Sequence, residues 1–264
     1  MSEPAVLYEV KDQIAQITLN RPENRNSMTN DVLEGFAAAV AQVKQDPDVR
    51  CVIITGSGRS FCAGADFRSQ VQRDAGADRP QLPHERSFAM YKPFLSVLSI
   101  EVPVIGALNG HAIGGGLGLA LVCDIRVANA DAKYGANFTR LGLHPGMATT
   151  YILPRLVGLP KAAELLLTGR IIEGAEAADL GLANYAVPAD QVLDKSWELA
   201  REVASCAPIA IRLTKRSLYE HVDYDAVTAA YHEAQLQSRT IETEDQSEGV
   251  AALLEKRKPV FRGR

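Results

Sequence analysis

The chain has 264 residues, 47% of them hydrophobic and 23% charged, and its 28 Lys and Arg against 32 Asp and Glu give a formal net charge of −4. That length can bury a sizeable core without crosslinks, and the slightly acidic balance excludes the basic face of a non-specific nucleic-acid binder. Cys51, Cys62, Cys123 and Cys206 stand far apart with no CxxC pair. Neither a disulfide framework nor a zinc site is expected from them, and reduced thiols fit a cytoplasmic protein. No stretch approaches the ~20 apolar residues of a bilayer span, and residues 1–10 lack the basic and apolar runs of a signal peptide.

In chain order, residues 6–10 and 14–19 alternate Val, Ile and Thr about the polar turn Lys11-Asp12-Gln13, the pattern of a β-hairpin. Asn20-Arg-Pro-Glu-Asn24 reads as a loop. Thr29 or Asn30 then caps a predicted helix whose apolar residues Val32, Leu33, Phe36, Ala37, Val40 and Val43 recur at helical spacing. Residues 51–55, 102–108 and 125–127 are continuous apolar runs, the signature of strands buried on both faces. Strands alternating with helices predict an α/β fold with a mainly parallel sheet and right-handed crossovers. Residues 69–85 carry Asp, Arg, Gly, Pro and Gln without apolar periodicity; they read as a mobile excursion, functional or disordered in a compact domain. Beyond Pro188, helices are predicted over 193–203, 209–221, 226–237 and 250–256. The chain therefore divides into an α/β core, residues 1–200, and a helical arm, residues 201–264.

Two glycine-rich segments each follow a predicted strand: Gly56-Ser-Gly-Arg-Ser-Phe-Cys-Ala-Gly-Ala-Asp66 and Asn109-Gly-His-Ala-Ile-Gly-Gly-Gly-Leu-Gly118. The plain alternative for either is a tight turn that needs positive φ. A phosphate loop would end in Gly-Lys-Ser/Thr, which neither offers, and the spacing from Gly110 does not fit a dinucleotide fingerprint. Gly114-Gly115-Gly116 precedes Leu117, Leu119, Ala120 and Leu121, so the triplet opens a helix, where backbone N–H groups lack intrahelical acceptors. If Ala65 presents a second N–H opposite, the two donors form an oxyanion hole able to hold a thioester enolate.

With these residues in view, the chain resembles the enoyl-CoA hydratase/isomerase (crotonase) family. The matching stretches are Asn20-Arg-Pro-Glu-Asn-Arg-Asn-Ser, Ser60-Phe-Cys-Ala-Gly-Ala-Asp66, Asn109-Gly-His-Ala-Ile-Gly-Gly-Gly116, Cys123-Asp124, Leu141-Gly-Leu-His-Pro-Gly146, Leu167-Thr-Gly169, residues 175–182 and Glu255-Lys-Arg-Lys258. They span the chain in the family's order. The resemblance implies a spiral of ββα units ending in a helical trimerisation region, assembled as a homotrimer or a dimer of trimers. It also implies oxyanion donors at Ala65 and Gly115, with Arg25, Ala63, Asp66 and Gly114 along a coenzyme A groove. Lys256 would reach the CoA phosphates of a neighbouring subunit, and Leu253 stands where the family carries an aromatic. No metal or redox cofactor is implied, because coenzyme A arrives as part of the substrate.

The two glutamates with which the family's hydratases add water fall, on this resemblance, at Gly118 and Phe138. Syn-hydration needs groups that take and give protons, so isomerase, decarboxylase or other lyase or hydrolase chemistry is expected instead of simple hydration. Phe138 and the space expected beside Gly118 predict a larger, more apolar acyl pocket. His144 is the first candidate for the missing proton carrier because imidazole titrates near neutrality; a backbone-bonded turn imidazole is the alternative. Asn137 and Arg140 flank Phe138 and could orient a thioester, although an exposed arginine is more often an ion-paired surface residue. His111 is expected at a hydrogen-bonded strand end, Asp66 and Asp124 in structural roles, and His84 and Glu85 in the excursion. A non-catalytic acyl-CoA binder is the competing class. RNA binding is disfavoured because Lys44 is the lone basic residue in residues 31–45.

Overall fold

A computed structural model describes residues 3–66 and 82–264 of the chain. Strands β1 (Val6–Lys11) and β2 (Ile14–Leu19) pair antiparallel with Val6 opposite Leu19. Asp12 and Gln13 both have positive φ, 52° and 62°, the two-residue turn whose twist matches that of paired strands. β2 then lies parallel to β3 (Cys51–Gly56), which continues through β5 (Val104–Leu108) and β7 (Ile125–Asn129) to β10 (Tyr185–Val187). The predicted parallel sheet is present. Cys51 and Ile53 pack on one of its faces, Val52 and Ile54 on the other, as the two-residue period of a strand requires.

A second sheet of four short strands accompanies it: β4 (Ser60–Cys62), β6 (His111–Ile113), β8 (Lys133–Gly135) and β9 (Ile172–Glu173). Three times the chain runs a long strand and then a short one, β3 to β4, β5 to β6 and β7 to β8. Runs of three residues carry no readable period, so sequence patterning does not announce this sheet. Its importance is positional. β4 and β6 are parallel neighbours, with Ser60 opposite His111 and Cys62 opposite Ala112, so the segments that follow them emerge side by side.

Helix α1 (Asn30–Gln45), with Thr29 as N-cap, covers one face of the long sheet through Val32, Leu33, Phe36, Ala39, Val40 and Val43. Ala37, assigned to that stripe from its spacing, is exposed, and Ala39 is buried in its place. Helix α2 (Pro83–Leu95) packs against α1 through an edge-to-face pair of Phe94 and Phe36, centroids 5.0 Å apart. Of the predicted excursion, only Pro83, His84 and Glu85 and the cap Leu82 fall in described residues. They begin a helix instead of ending a loop, the Glu85 carboxylate accepting from Leu82 N at 3.1 Å. Next come α3 (Gly115–Leu121), α4 (Thr149–Thr168) and α5 (Gly174–Asp179). α4 went unpredicted because Pro154, Gly158 and Pro160 punctuate it; Gly158, at φ 75°, kinks it.

Helix α6 (Val192–Ala204) runs across residue 200 and packs Val192, Leu199, Ala200 and Ala204 on the opposite face of the long sheet. The arm continues as α7 (Pro208–Glu220), α8 (Ala226–Ile241) and α9 (Glu244–Glu255), the last beginning at its Thr243 cap, well before the predicted residue 250. Asp124 ties α7 to the core. Its carboxylate accepts from Val104 N (2.7 Å), pairs with Lys215 (2.7 Å) and accepts from the Tyr219 hydroxyl (2.5 Å). Elsewhere the arm exposes Leu218, Val227, Tyr231, Leu253 and Leu254. Among the described residues no helix is long and apolar enough to cross a membrane.

Candidate active site

The parallel pairing of β4 and β6 brings residues 63–65 beside residues 114–115. Ala63 N donates to Arg25 O at 3.0 Å and Met28 N to Gly64 O at 2.8 Å, stitching the first segment to the loop before α1. That loop is held by buried Asn26, whose amide donates to Ser57 O (3.0 Å) and Ser60 O (2.8 Å) and accepts from Arg21 N (2.8 Å). Gly64 has φ 84°, and a Cβ on it would stand 2.6 Å from Ile113 O and 3.0 Å from Gly115 N. Position 64 therefore admits only glycine, and the absence of a side chain is what lets the two segments touch. Gly115 is the first residue of α3 after the N-cap Gly114, and a Cβ on it would lie 2.4 Å from Met28 Sδ. Neither Ala65 N–H nor Gly115 N–H has an acceptor among the described residues. Main-chain donors left unpaired in a packed region are uncommon, and two come together here.

The other side of the site is built from side chains. Phe138 lies in the 3-10 turn Asn137–Leu141, half-buried, with its ring Cζ 3.9 Å from where a Cβ on Gly114 would stand. Gly118, one turn along α3, does not leave open space: a Cβ there would meet Met147 Cβ at 2.3 Å. The fully buried Met147 fills the volume that sequence reasoning assigned to an enlarged pocket. The wall is apolar as expected, but it is not widened at Gly118. Met147 and Ala148 both hold positive φ, 57° and 54°, a conformation costing non-glycine residues about 1 kcal/mol or more each. Thr149 pins this turn by donating its hydroxyl to Gly146 O at 2.8 Å.

The remaining expected residues are dispersed. His144 is exposed, and its Nδ1 donates to Pro145 O at 2.8 Å, with no partner for Nε2 among the described residues. Arg140 donates to Thr168 O at 2.9 Å and so caps the end of α4 instead of turning toward the paired amides. Arg25 is exposed on left-handed backbone (φ 59°), Ala63 and Asp66 are half-buried on either side of the amide corner, and Lys256 is the exposed C-cap of α9. His111 accepts from Lys133 N at 2.9 Å, a strand-end role. The thiol of Cys62, on β4 below the corner, is pushed up to about 12 by burial, as are those of Cys51 and Cys123, so none supplies a thiolate near neutrality.

One polar residue of this wall escaped the sequence reading. Tyr91 of α2 is half-buried and sets its hydroxyl over the Gly146 turn, where a Cβ on Gly146 would stand 2.4 Å from that oxygen. The helical spacing of Phe88, Tyr91 and Leu95 was a signal, masked by Pro93.

The family model for enoyl-CoA hydratase/isomerase matches residues 9–264. This chain belongs to the enoyl-CoA hydratase/isomerase family. It is 37% identical over 262 residues to a protein of Syntrophomonas wolfei named crotonyl-CoA hydratase, covering 99% of each chain. To the short-chain-enoyl-CoA hydratase of Clostridium acetobutylicum it is 34% identical over 256 residues, 96% of this chain and 95% of the other. The crystal structure of an enoyl-CoA hydratase from Bacillus anthracis superposes with a TM-score of 0.91 at 34% identity, over 98% of this chain and 100% of that one. The crotonase fold expected from the resemblance is the fold observed.

Proposed function

We propose that this enoyl-CoA hydratase/isomerase family member processes an acyl-CoA thioester whose carbonyl oxygen is held by the amides of Ala65 and Gly115. The observation that carries the reading is the pair of acceptor-free N–H groups on touching glycine-rich segments. Preorganised donors of this kind stabilise the charge that develops as a thioester becomes an enolate, and losing one costs roughly 10²–10³-fold in rate. The coenzyme A moiety would lie along Arg25, Ala63, Asp66 and Gly114, with Phe138 against the acyl group. Lys256 would serve a neighbouring subunit, and the apolar residues exposed on the arm support a homotrimer or a dimer of trimers.

The names of the relatives favour hydration; the residues of this site favour a reaction with fewer proton transfers. Neither Gly118 nor Phe138 supplies a carboxylate, and each missing acid or base is worth roughly 10²–10⁴-fold. Isomerisation, decarboxylation or another lyase or hydrolase reaction therefore fits the site better. His144 keeps a free Nε2 and stays a candidate for one proton transfer. Mixing the purified protein with crotonyl-CoA and following the enoyl absorbance tests this directly. Little or no change is expected, whereas rapid loss means that a hydratase operates without those carboxylates. A non-catalytic binder would bind a panel of acyl-CoAs tightly and return every one unchanged in mass.

A further inference from the structure

A wall without the two carboxylates still needs a group that carries protons if the amide corner is to do enolate chemistry. Histidine was the expected source, but His144 faces solvent and commits Nδ1 to the Pro145 carbonyl. Thr139 donates its hydroxyl to Leu166 O at 3.1 Å and Thr149 donates to Gly146 O at 2.8 Å. Both hydroxyls are occupied by the fold. Tyr91 is different. It is half-buried among the apolar residues that pack on the main core, together with Phe138, yet its hydroxyl has no hydrogen-bond partner among the described residues. Unlike the buried, unpartnered hydroxyl of Tyr8, it is not walled off from solvent, so it is free to exchange a proton.

Its position is marked by one close approach. Tyr91 Oη stands over Gly146, where a single added methyl would meet it at 2.4 Å. Gly146 is held by Thr149 and precedes Met147, which seals α3 at Gly118. α3 in turn begins at Gly115, one helical turn from Gly118. A run of contacts thus leads from the hydroxyl through the Met147 plug to the helix that carries the Gly115 amide.

We propose that the Tyr91 hydroxyl is the catalytic proton carrier at the α-carbon of the bound acyl-CoA, which rests on the acyl-CoA reading above. In the forward direction the Cα–H bond breaks, its electron pair forms the Cα=C double bond of the enolate, and the carbonyl π pair moves onto the oxygen, which becomes the anion held by Ala65 and Gly115. The Tyr91 hydroxyl has first given its own proton to water, and its phenolate oxygen takes the proton from Cα. In reverse, the Tyr91 O–H returns a proton to Cα as the carbonyl re-forms. No oxidant, reductant or reactant other than water enters.

The test uses butyryl-CoA in deuterated buffer, with affinity read by calorimetry and α-deuterium uptake by mass spectrometry. The wild type is expected to bind and to exchange its α-protons. Tyr91→Phe keeps the ring and the affinity, and its exchange falls by roughly 10²-fold or more. A fluorinated tyrosine at position 91, whose phenol ionises at lower pH, moves the pH profile down without changing the packing. Gly146→Ala, which thrusts a methyl at the hydroxyl, is the second variant should Tyr91→Phe fold poorly, and it lowers exchange with affinity retained.

Wild-type exchange at an undiminished rate in Tyr91→Phe, or a profile that the fluorinated residue leaves in place, overturns the role of Tyr91. So does exchange that survives in Tyr91→Phe but is lost in His144→Gln. Tight binding with no exchange in the wild type also removes the proton role while leaving the acyl-CoA reading intact. Failure of the wild type to bind butyryl-CoA or any other acyl-CoA fails that reading itself.

Discussion

The two halves of the candidate site are made differently. The amide corner at residues 63–65 and 114–115 is built from backbone, and its geometry depends on what is missing: a Cβ at position 64 would collide with the Ile113 carbonyl. The opposing wall is built from side chains drawn from separate parts of the chain, Tyr91 from α2, Phe138 from a 3-10 turn and Met147 from the turn before α4. A backbone site tolerates almost no substitution and can be shared by many reactions. A side-chain wall can change without disturbing the fold, and it decides which reaction the corner serves.

Breaking the corner should have the largest effect. Gly64→Val combines positive φ with a backbone clash, and about 3–5 kcal/mol of stability is expected to be lost, read as a lower urea midpoint. Less than 1 kcal/mol would mean that residues 64 and 113 are not in contact. The wall should break more gently and be repairable. Gly118→Glu alone drives a side chain into Met147 and should cost about 1–3 kcal/mol. Adding Met147→Gly removes the obstruction and the left-handed strain together, and should restore most of that loss. With Phe138→Glu as well, crotonyl-CoA hydration is expected to appear above the wild-type level. No recovery on adding Met147→Gly would show that Met147 does not fill the space beside Gly118.

That contrast explains what could be read from the sequence. The long strands carry continuous apolar runs, and the amide corner is spelled in glycines, whose restrictions are local; both were legible. The second sheet was not, because β4, β6 and β8 are each three residues long. Nor was the plug: Gly118 looks like empty space until Met147, far along the chain, is seen against it. Tyr91 was obscured by Pro93 within a helix the pattern did not announce, and Arg140 looked like a site residue because it lies close to Phe138 in sequence, whereas its side chain caps α4. Sequence distance hides contacts between side chains far more than it hides the conformational demands of a backbone.

A further prediction concerns the thiols packed around the sheet. Cys51, Cys62 and Cys123 are pushed up to about 12 from 9.0 by burial. The unfolded chain therefore loses these protons first as pH rises, and the folded state binds more protons above pH 9. Their contribution to stability is complete below about pH 9 and declines progressively toward pH 12. Urea midpoints should fall over that window, and Cys62→Ala should flatten part of the fall. At neutral pH a thiol reagent should label exposed Cys206 and spare the other three.

The central claim concerns one carbonyl oxygen and two amides, and infrared difference spectroscopy of bound butyryl-CoA carrying a 13C-labelled thioester carbonyl reads it directly. Two donors predict a carbonyl stretch shifted to lower frequency on the wild type than in solution. Gly115→Pro, which deletes one N–H at the first helical position and pushes aside the flexible end of Met28, should return it part of the way. A tightly bound thioester whose carbonyl stretch stays at its solution frequency would contradict the account.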